Sequence, residues 1–519
     1  MQNHKIHTAN LQVNFEGMEE GLGVHESLGL FFYEKIKPAL EKAFDQYSDQ
    51  KRILVIDKLE LDCGNIPYEN WERVLLQKIL SQVGEELKSP QKSNSESVSL
   101  EKKADKVFFF FLQKGYFPWN SPFETPKELE KAIVFDISYM ESFKKISQKS
   151  PAALDRLFLS FSFSFISKVF ETLTKNSNPK VTALVNNLQT NPILQKELMQ
   201  VLLYPFPNQS HSSIGSFLKT FIGKLSNENL SFLAEYFSRE PVPEKDLKEV
   251  LKSLLSEPSP PDFRGKISYL MEIMVTKDPL VLRKNGISQK EIDFENMGSL
   301  QKDVEHYSKS MDRKNFNKSI QSGNHLENTG DLKRPNPSSH QSGSKDQLDS
   351  EIGDEIFVEN AGLVLLHPFL TGLFSNLQLT ENGKFVAGSD QSFASRVLQY
   401  LVFGENDLTE NFYPLNKILC GMEVSQVLGE EVEISQDFKT ECEDLLQAVI
   451  GHWPVLKNTS MDGLRETFLQ RPGKISRIDK GWKLQVEGKT VDVLLAKLPW
   501  GLGIIKLPWM NEMMFVDWN

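Results

Sequence analysis

Between residues 107 and 285, prolines limit how long any helix in this chain can grow. They stand at 118, 122, 126, 151, 179, 192, 205, 207, 241, 243, 258, 260, 261 and 279. A proline inside a helix removes a backbone hydrogen bond and collides with the preceding turn. The apolar residues between them nevertheless keep helical spacing. After Ser150-Pro151, a cap followed by a first-turn proline, come Leu154, Leu157, Phe158, Phe161, Phe165 and Val169. After Pro243 come Leu247, Val250, Leu251, Leu254 and Leu255. The region therefore reads as helices of about two to four turns. Residues 160–165 alternate Ser and Phe as a strand would, but both flanks keep the helical period, so one helix is expected through them. No fixed-period repeat marks a solenoid. The chain holds 35 phenylalanines, whose rings require a large core.

The two ends read differently. In residues 1–88, Ala9, Leu11, Val13 and Phe15 alternate with polar residues, as in a half-buried strand. Leu28, Phe31, Phe32, Ile36 and Leu40 then take helical spacing, with Pro38 expected to kink or restart the helix. Residues 51–66 suggest a second strand, apolar on both faces over Ile53–Ile56 and alternating beyond. Trp71, Val74, Leu75, Ile79, Val83 and Leu87 form an amphipathic helix behind it. Residues 89–106 are rich in Ser and Lys and read as a linker. Residues 286–353 carry only scattered apolar groups and are expected to be disordered.

Order returns at 354–519. Leu365, Leu366, Phe369, Leu370 and Phe374 share a helical face kinked at Pro368, and helices are expected near 390–404, 413–421, 435–451 and 461–469. The period then switches to two. Trp482, Leu484 and Val486 alternate before Glu487-Gly488-Lys489, read as a hairpin turn, and Val491, Val493 and Leu495 alternate after it. Ile504–Leu507 reads as one more strand. Five of the seven tryptophans lie from Trp453 onward. Two triplets recur nine residues apart, Leu498-Pro499-Trp500 and Leu507-Pro508-Trp509, and Trp518 stands next to the last residue. The fold class is thus α+β and mainly α. It comprises a small α/β unit, a helical middle, a disordered linker and a C-terminal helical domain ending in a small antiparallel β element.

Little of this carries chemistry. No phosphate-binding, dinucleotide-binding or serine-hydrolase motif occurs. His25-Glu26 begins a zinc-protease pattern, but Gly29 stands where its second histidine belongs. His4 and His7 near the start, His367 in an apolar helix, and Glu60 with Asp62 on one strand face each read more simply as exposed or hydrogen-bonded structural residues. Cys63, Cys420 and Cys442 have no metal-site spacing and suit a reducing compartment. No catalytic, metal or cofactor residue is assigned, and no enzyme is expected.

The net charge is −11, and eleven acidic residues between Glu405 and Asp444 face only Lys417 and Lys439. That excess argues against a nucleic-acid partner. It reads as a solvated face, or else as a surface for a basic protein. No signal peptide and no apolar run of about 20 residues appear, so membrane insertion is not expected. The residues offered for protein binding are Trp482, Leu498, Pro499, Trp500, Leu507, Pro508, Trp509 and Trp518. They form either a core for the sheet or a docking surface, because tryptophan dominates interface energetics.

Four stretches, taken in order, resemble a known family. They are IHTANLQVNF near the start, RILVIDKLELDCGNI around residue 60, VENAGLVLLHPFLTGLF at 358–374, and WKLQVEGKTVDVLLAKLPWGLGIIKLPWM leading to Val516-Asp517-Trp518. Together they resemble the contractile injection system tape measure proteins of bacterial phage-tail-like particles, over about residues 4–85 and 355–519. The resemblance implies a structural role in building the inner tube. It places the protein in the lumen, setting tube length, with the tube protein and the spike or baseplate proteins as partners. It implies no catalytic residues. The alternative is a cytoplasmic chaperone or adaptor for tube, spike or cargo proteins. As one helix the middle region of about 265 residues would reach roughly 400 Å, but the prolines and the lack of heptads argue against a single rod.

Overall fold

The computed structural model describes residues 4–14, 27–47, 52–56, 58–88, 95–135, 137–150, 152–203, 213–239, 244–276, 355–405, 409–430 and 432–518. The expected disordered segment at 286–353 lies outside the described residues, as do His25 and Glu26.

The N-terminal helix follows its periodicity but is broken where Pro38 enters. A π-helical turn over Phe32–Ile36 hands over to an α-helix over Lys37–Asp45 with the proline in its first turn, where no amide hydrogen is needed. The amphipathic helix Trp71–Lys88 buries Ile79, Val83 and Leu87 against Phe31 and Ile36. Strand β1 is shorter than expected, Arg52–Ile56. Beyond it Asp62 accepts a hydrogen bond from the Gly64 amide at 2.9 Å, a local turn that competes with strand pairing. The expected strand near residue 9 does not form among the described residues, and Leu11 and Val13 are exposed.

The stretch expected as a linker at 89–106 is corrected in its second half. Ser95–Ser99 forms β2, antiparallel to β1, and Leu100–Lys114 is a helix whose first turn is capped by the Ser99 hydroxyl. From there to Thr276 every regular element among the described residues is a helix. The single helix expected through 160–165 is two, Ala152–Ser160 and Phe163–Thr174. The Ser162 hydroxyl accepts from the Phe165 amide, so the alternating serines serve as a cap rather than as a strand face. Phenylalanine fills the bundle core: Phe108, Phe111, Phe143, Phe170, Phe217 and Phe221 are all but fully buried. The longest unbroken α-helix among the described residues has 18 residues, or about 27 Å.

The C-terminal region holds helices at Gly388–Phe403, Pro414–Leu419 and Gln436–His452, and a short one at Met461–Leu464, close to expectation. They pack on a five-stranded sheet. Its strands are β3 (Ile356–Val358), β6 (Gly473–Ile478), β7 (Gly481–Val486), β8 (Ile504–Ile505) and β9 (Met513–Asp517), in spatial order β3-β6-β7-β9-β8. All neighbours are antiparallel except β7 and β9. A two-stranded ribbon, β4 (Thr380–Glu381) with β5 (Lys384–Phe385), stands apart. The hairpin joins β6 to β7, not β7 to residues 491–495. Thr490–Lys497 is a 3₁₀ helix, because Asp492 turns back to accept the Lys489 amide at 2.8 Å.

Candidate functional site

Each Leu-Pro-Trp triplet flanks β8, and each sends its tryptophan inward. The Trp509 indole donates to the Leu419 carbonyl at 2.8 Å, at the end of helix Pro414–Leu419. The Trp500 indole donates to the Leu365 carbonyl at 3.1 Å, near the end of the 3₁₀ turn Ala361–Leu366. Carbonyls in a last helical turn lack intrahelical donors, so an indole N–H from elsewhere satisfies them. Trp509 also packs on Phe374 and Phe385, with ring centres 5.3 and 5.2 Å away, and Trp500 meets Phe369 edge-on at 5.2 Å. Leu507 is buried and Leu498 half-buried, while Pro499 and Pro508 face out. The prolines present no amide hydrogen to solvent or to a foreign strand.

Trp518 belongs to a separate latch. Buried Arg471 grips Asp492 with two hydrogen bonds of 2.7 and 2.8 Å and donates to the Glu487 carbonyl. The Trp518 indole donates to the same Asp492 at 3.1 Å, and the guanidinium lies 5.3 Å from its ring centre. Burial alone pushes the Asp492 carboxyl up, but the Arg471, Lys489 and Trp518 donors outweigh it and hold it below its usual value. Trp482 is half-buried, stacked at 4.5 Å under Arg477, which pairs with Glu512. Of the eight residues singled out in the sequence, six (Trp482, Leu498, Trp500, Leu507, Trp509 and Trp518) are buried in the C-terminal core or packed against it, and the two prolines are exposed. Surface and motif meet in one groove of about 420 Å³ lined by Lys384, Phe385, Val386, Gln391, Pro508 and Trp509.

A second polar site fastens the helical bundle to this domain. Arg156, fully buried, donates to the Leu112 and Gln113 carbonyls at 2.7 and 3.0 Å, where the helix Leu100–Lys114 ends. A cation there suits the negative end of the helix. The same guanidinium reaches Glu410 at 3.2 Å and the Ser425 carbonyl, both in the C-terminal domain. Glu410 also takes a 2.6 Å bond from buried Lys417, which donates at 3.1 Å to Val424. Burial lowers the Lys417 ammonium from its usual value, against the pull of Glu410. Gly115 ends the helix at φ +82°, and a Cβ there would lie 2.8 Å from the Glu410 carboxylate and 2.9 Å from Arg156. Only glycine fits both the turn and the space. Sequence reasoning missed this clamp. It took Glu410 and Lys417 as members of a solvated acidic run, whereas Glu410 is buried. The legible signal was Arg156 itself, three residues from Ala153 on the apolar face of its helix.

The residues weighed for chemistry are apart and occupied. His4 bonds Asp45 at 2.8 Å and His7 pairs with Glu355. His367 contacts the Val364 carbonyl at 2.9 Å, and burial lowers its pKa. Glu60 pairs with Lys58 at 2.5 Å. Among the described residues no group of three His, Cys, Asp or Glu could hold a metal, and no helix is long and apolar enough to cross a membrane.

Bundle, clamp and pinned sheet define the class: a mainly helical protein with a few small sheets. Residues 3–518 match the sequence model of the family described as contractile injection system tape measure protein, and the chain belongs to that family. Its role is therefore structural, in the assembly of a contractile injection system. No curated protein and no solved structure matches the chain.

Proposed function

We propose that this chain sets the length of the particle's inner tube from within the lumen, in contact with the tube protein and with the spike or baseplate. The observation that carries the reading is the family match across residues 3–518, which spans the N-terminal unit, the bundle and the C-terminal domain. The bundle's short, proline-separated helices support it. They can be paid out as a chain at about 3.3 Å per residue, a longer reach than one helix gives. In this reading Pro499, Pro508 and the half-exposed Trp482 form the docking face, with Leu498, Trp500, Leu507, Trp509 and Trp518 holding it in shape. The test is to delete 40 residues between 300 and 345 and measure tube lengths by electron microscopy. Shorter tubes are expected; intact particles with tubes of unchanged length would overturn it.

A second reading, a cytoplasmic chaperone or adaptor, is favoured by the clamp, because Arg156, Glu410 and Lys417 fasten a folded body rather than an extended one. Mass spectrometry of purified mature particles separates the two. Absence of the chain supports the chaperone and presence supports the lumen component.

A further inference from the structure

The N-terminal unit is fastened to the rest of the chain by other means than those that join the bundle to the C-terminal domain. The bundle sends Phe110 and Tyr116 into the C-terminal core. The core of the N-terminal unit is drawn from residues 31–87 alone and is separate from the other two. Regions that share no apolar core move relative to one another unless polar contacts hold them. Here those contacts come from residues 4–7, His-Lys-Ile-His. His4 bonds Asp45 at 2.8 Å and packs on Phe44 with ring centres 5.5 Å apart, which holds the N-terminal unit. Lys5 donates to the Ser121 carbonyl of the bundle at 2.8 Å. His7 lies between Trp119 of the bundle and Phe357 of the C-terminal domain, at 4.8 and 5.8 Å, and pairs with Glu355. Among the described residues no backbone–backbone hydrogen bond holds residues 4–7. Four carboxylates drawn from all three regions surround the segment: Asp45, Glu124, Glu355 and Glu359. Lys5 is the counter-charge between Glu124 of the bundle and Glu359 of the C-terminal domain, and burial lowers its ammonium from the usual value against their attraction. Burial raises the Glu359 carboxyl, with Lys5 pulling it back down and Glu487 and Glu124 adding to the rise.

We propose that residues 4–7 are a releasable strap. Closed, it shuts the N-terminal unit onto the seam between bundle and C-terminal domain. Under ionic competition it lets that unit swing away about Ser99, where strand β2 runs directly into the helix Leu100–Lys114. The anchors suit release. Exposed ion pairs are individually weak and are screened by salt, and Asp45 is 58% exposed and His7 36%. One more ionic contact, Lys37 to Glu487 at 3.1 Å, lies across the same joint and yields to the same competition. The clamp of Arg156, Glu410 and Lys417 does not open with the strap, because buried pairs are screened far less. The strap does not depend on the length-setting reading, since it is read from purified protein without particles.

The test is the distance between paired spin labels on the full chain in a Cys63→Ser background, Cys420 and Cys442 being buried. One pair, Gln77→Cys with Gln447→Cys, spans the strap. The other, Lys175→Cys with Gln447→Cys, spans the clamp. At low salt both pairs are expected to give narrow distance distributions. Raising salt to about 1 M is expected to broaden and lengthen the first and to leave the second unchanged. Lys5→Glu is expected to do the same at low salt, with unchanged far-ultraviolet circular dichroism, because it sets a third carboxylate between Glu124 and Glu359. Adding Glu359→Lys to Lys5→Glu is expected to narrow the distribution again. A first pair that is already broad at low salt, or that stays narrow in salt or in Lys5→Glu, overturns the proposal. So does a broadening of both pairs together, which is a general loosening, or a double variant that stays as broad as Lys5→Glu.

Discussion

One carboxylate, Glu410, holds two buried cations, and that fixes what its loss does. Glu410→Gln leaves Arg156 and Lys417 buried without a counter-charge, so stability measured by urea unfolding should fall by about 3–5 kcal/mol. At Asp492 the sign runs through pH. Its folded pKa lies below the usual carboxylate value of 3.8, so its stabilisation is full above that value and is lost as pH falls through the lower, folded one. Tryptophan fluorescence followed through acid should show that loss in wild type and not in Asp492→Asn. Cysteine reactivity gives a third check. Burial pushes the Cys420 and Cys442 thiols up to about 12, while Cys63 is partly exposed and raised less. A thiol reagent should titrate one cysteine in native protein and all three after denaturation. At Gly362 a Cβ would fall 1.7 Å from the Phe468 carbonyl oxygen, so Gly362→Ala should prevent the C-terminal domain from closing, seen as loss of its cooperative unfolding transition.

At the scale of elements, most helices were legible because apolar spacing and proline positions are local properties of the chain. Trp71–Lys88 and Gln436–His452 fall where periodicity puts them. The failures came where a distant partner decided. Val491, Val493 and Leu495 alternate like a strand, yet Asp492 is drawn back to Lys489 and across to Arg471, and the segment coils. Residues 9–14 alternate too and remain unpaired among the described residues, because alternation specifies a face and not a partner. The tryptophans were legible as important but not as to direction, since one triplet pattern supplies both an inward ring and an outward proline. The depth of each ring ranks them. Trp509→Ala should cost about 3–5 kcal/mol in urea unfolding, and Trp500→Ala, half-buried, distinctly less.

Across the whole molecule, the clamp between the bundle and the C-terminal domain was not visible in the sequence, because its members are 254 residues apart. A further tie joins the N-terminal unit to both. In the first residues, His4 meets Asp45, Lys5 reaches the Ser121 carbonyl at 2.8 Å, and His7 packs between Trp119 and Phe357 while pairing with Glu355. This order has a consequence in time. The seat for His7 is synthesised about 350 residues after His7 itself, a wait of roughly 20–70 s at ribosomal rates of about 5–20 residues per second. Over that interval His4 and Lys5 can already reach Asp45 and Ser121, while His7 waits for Glu355 and Phe357, so the last contact of this segment closes only after translation has passed them.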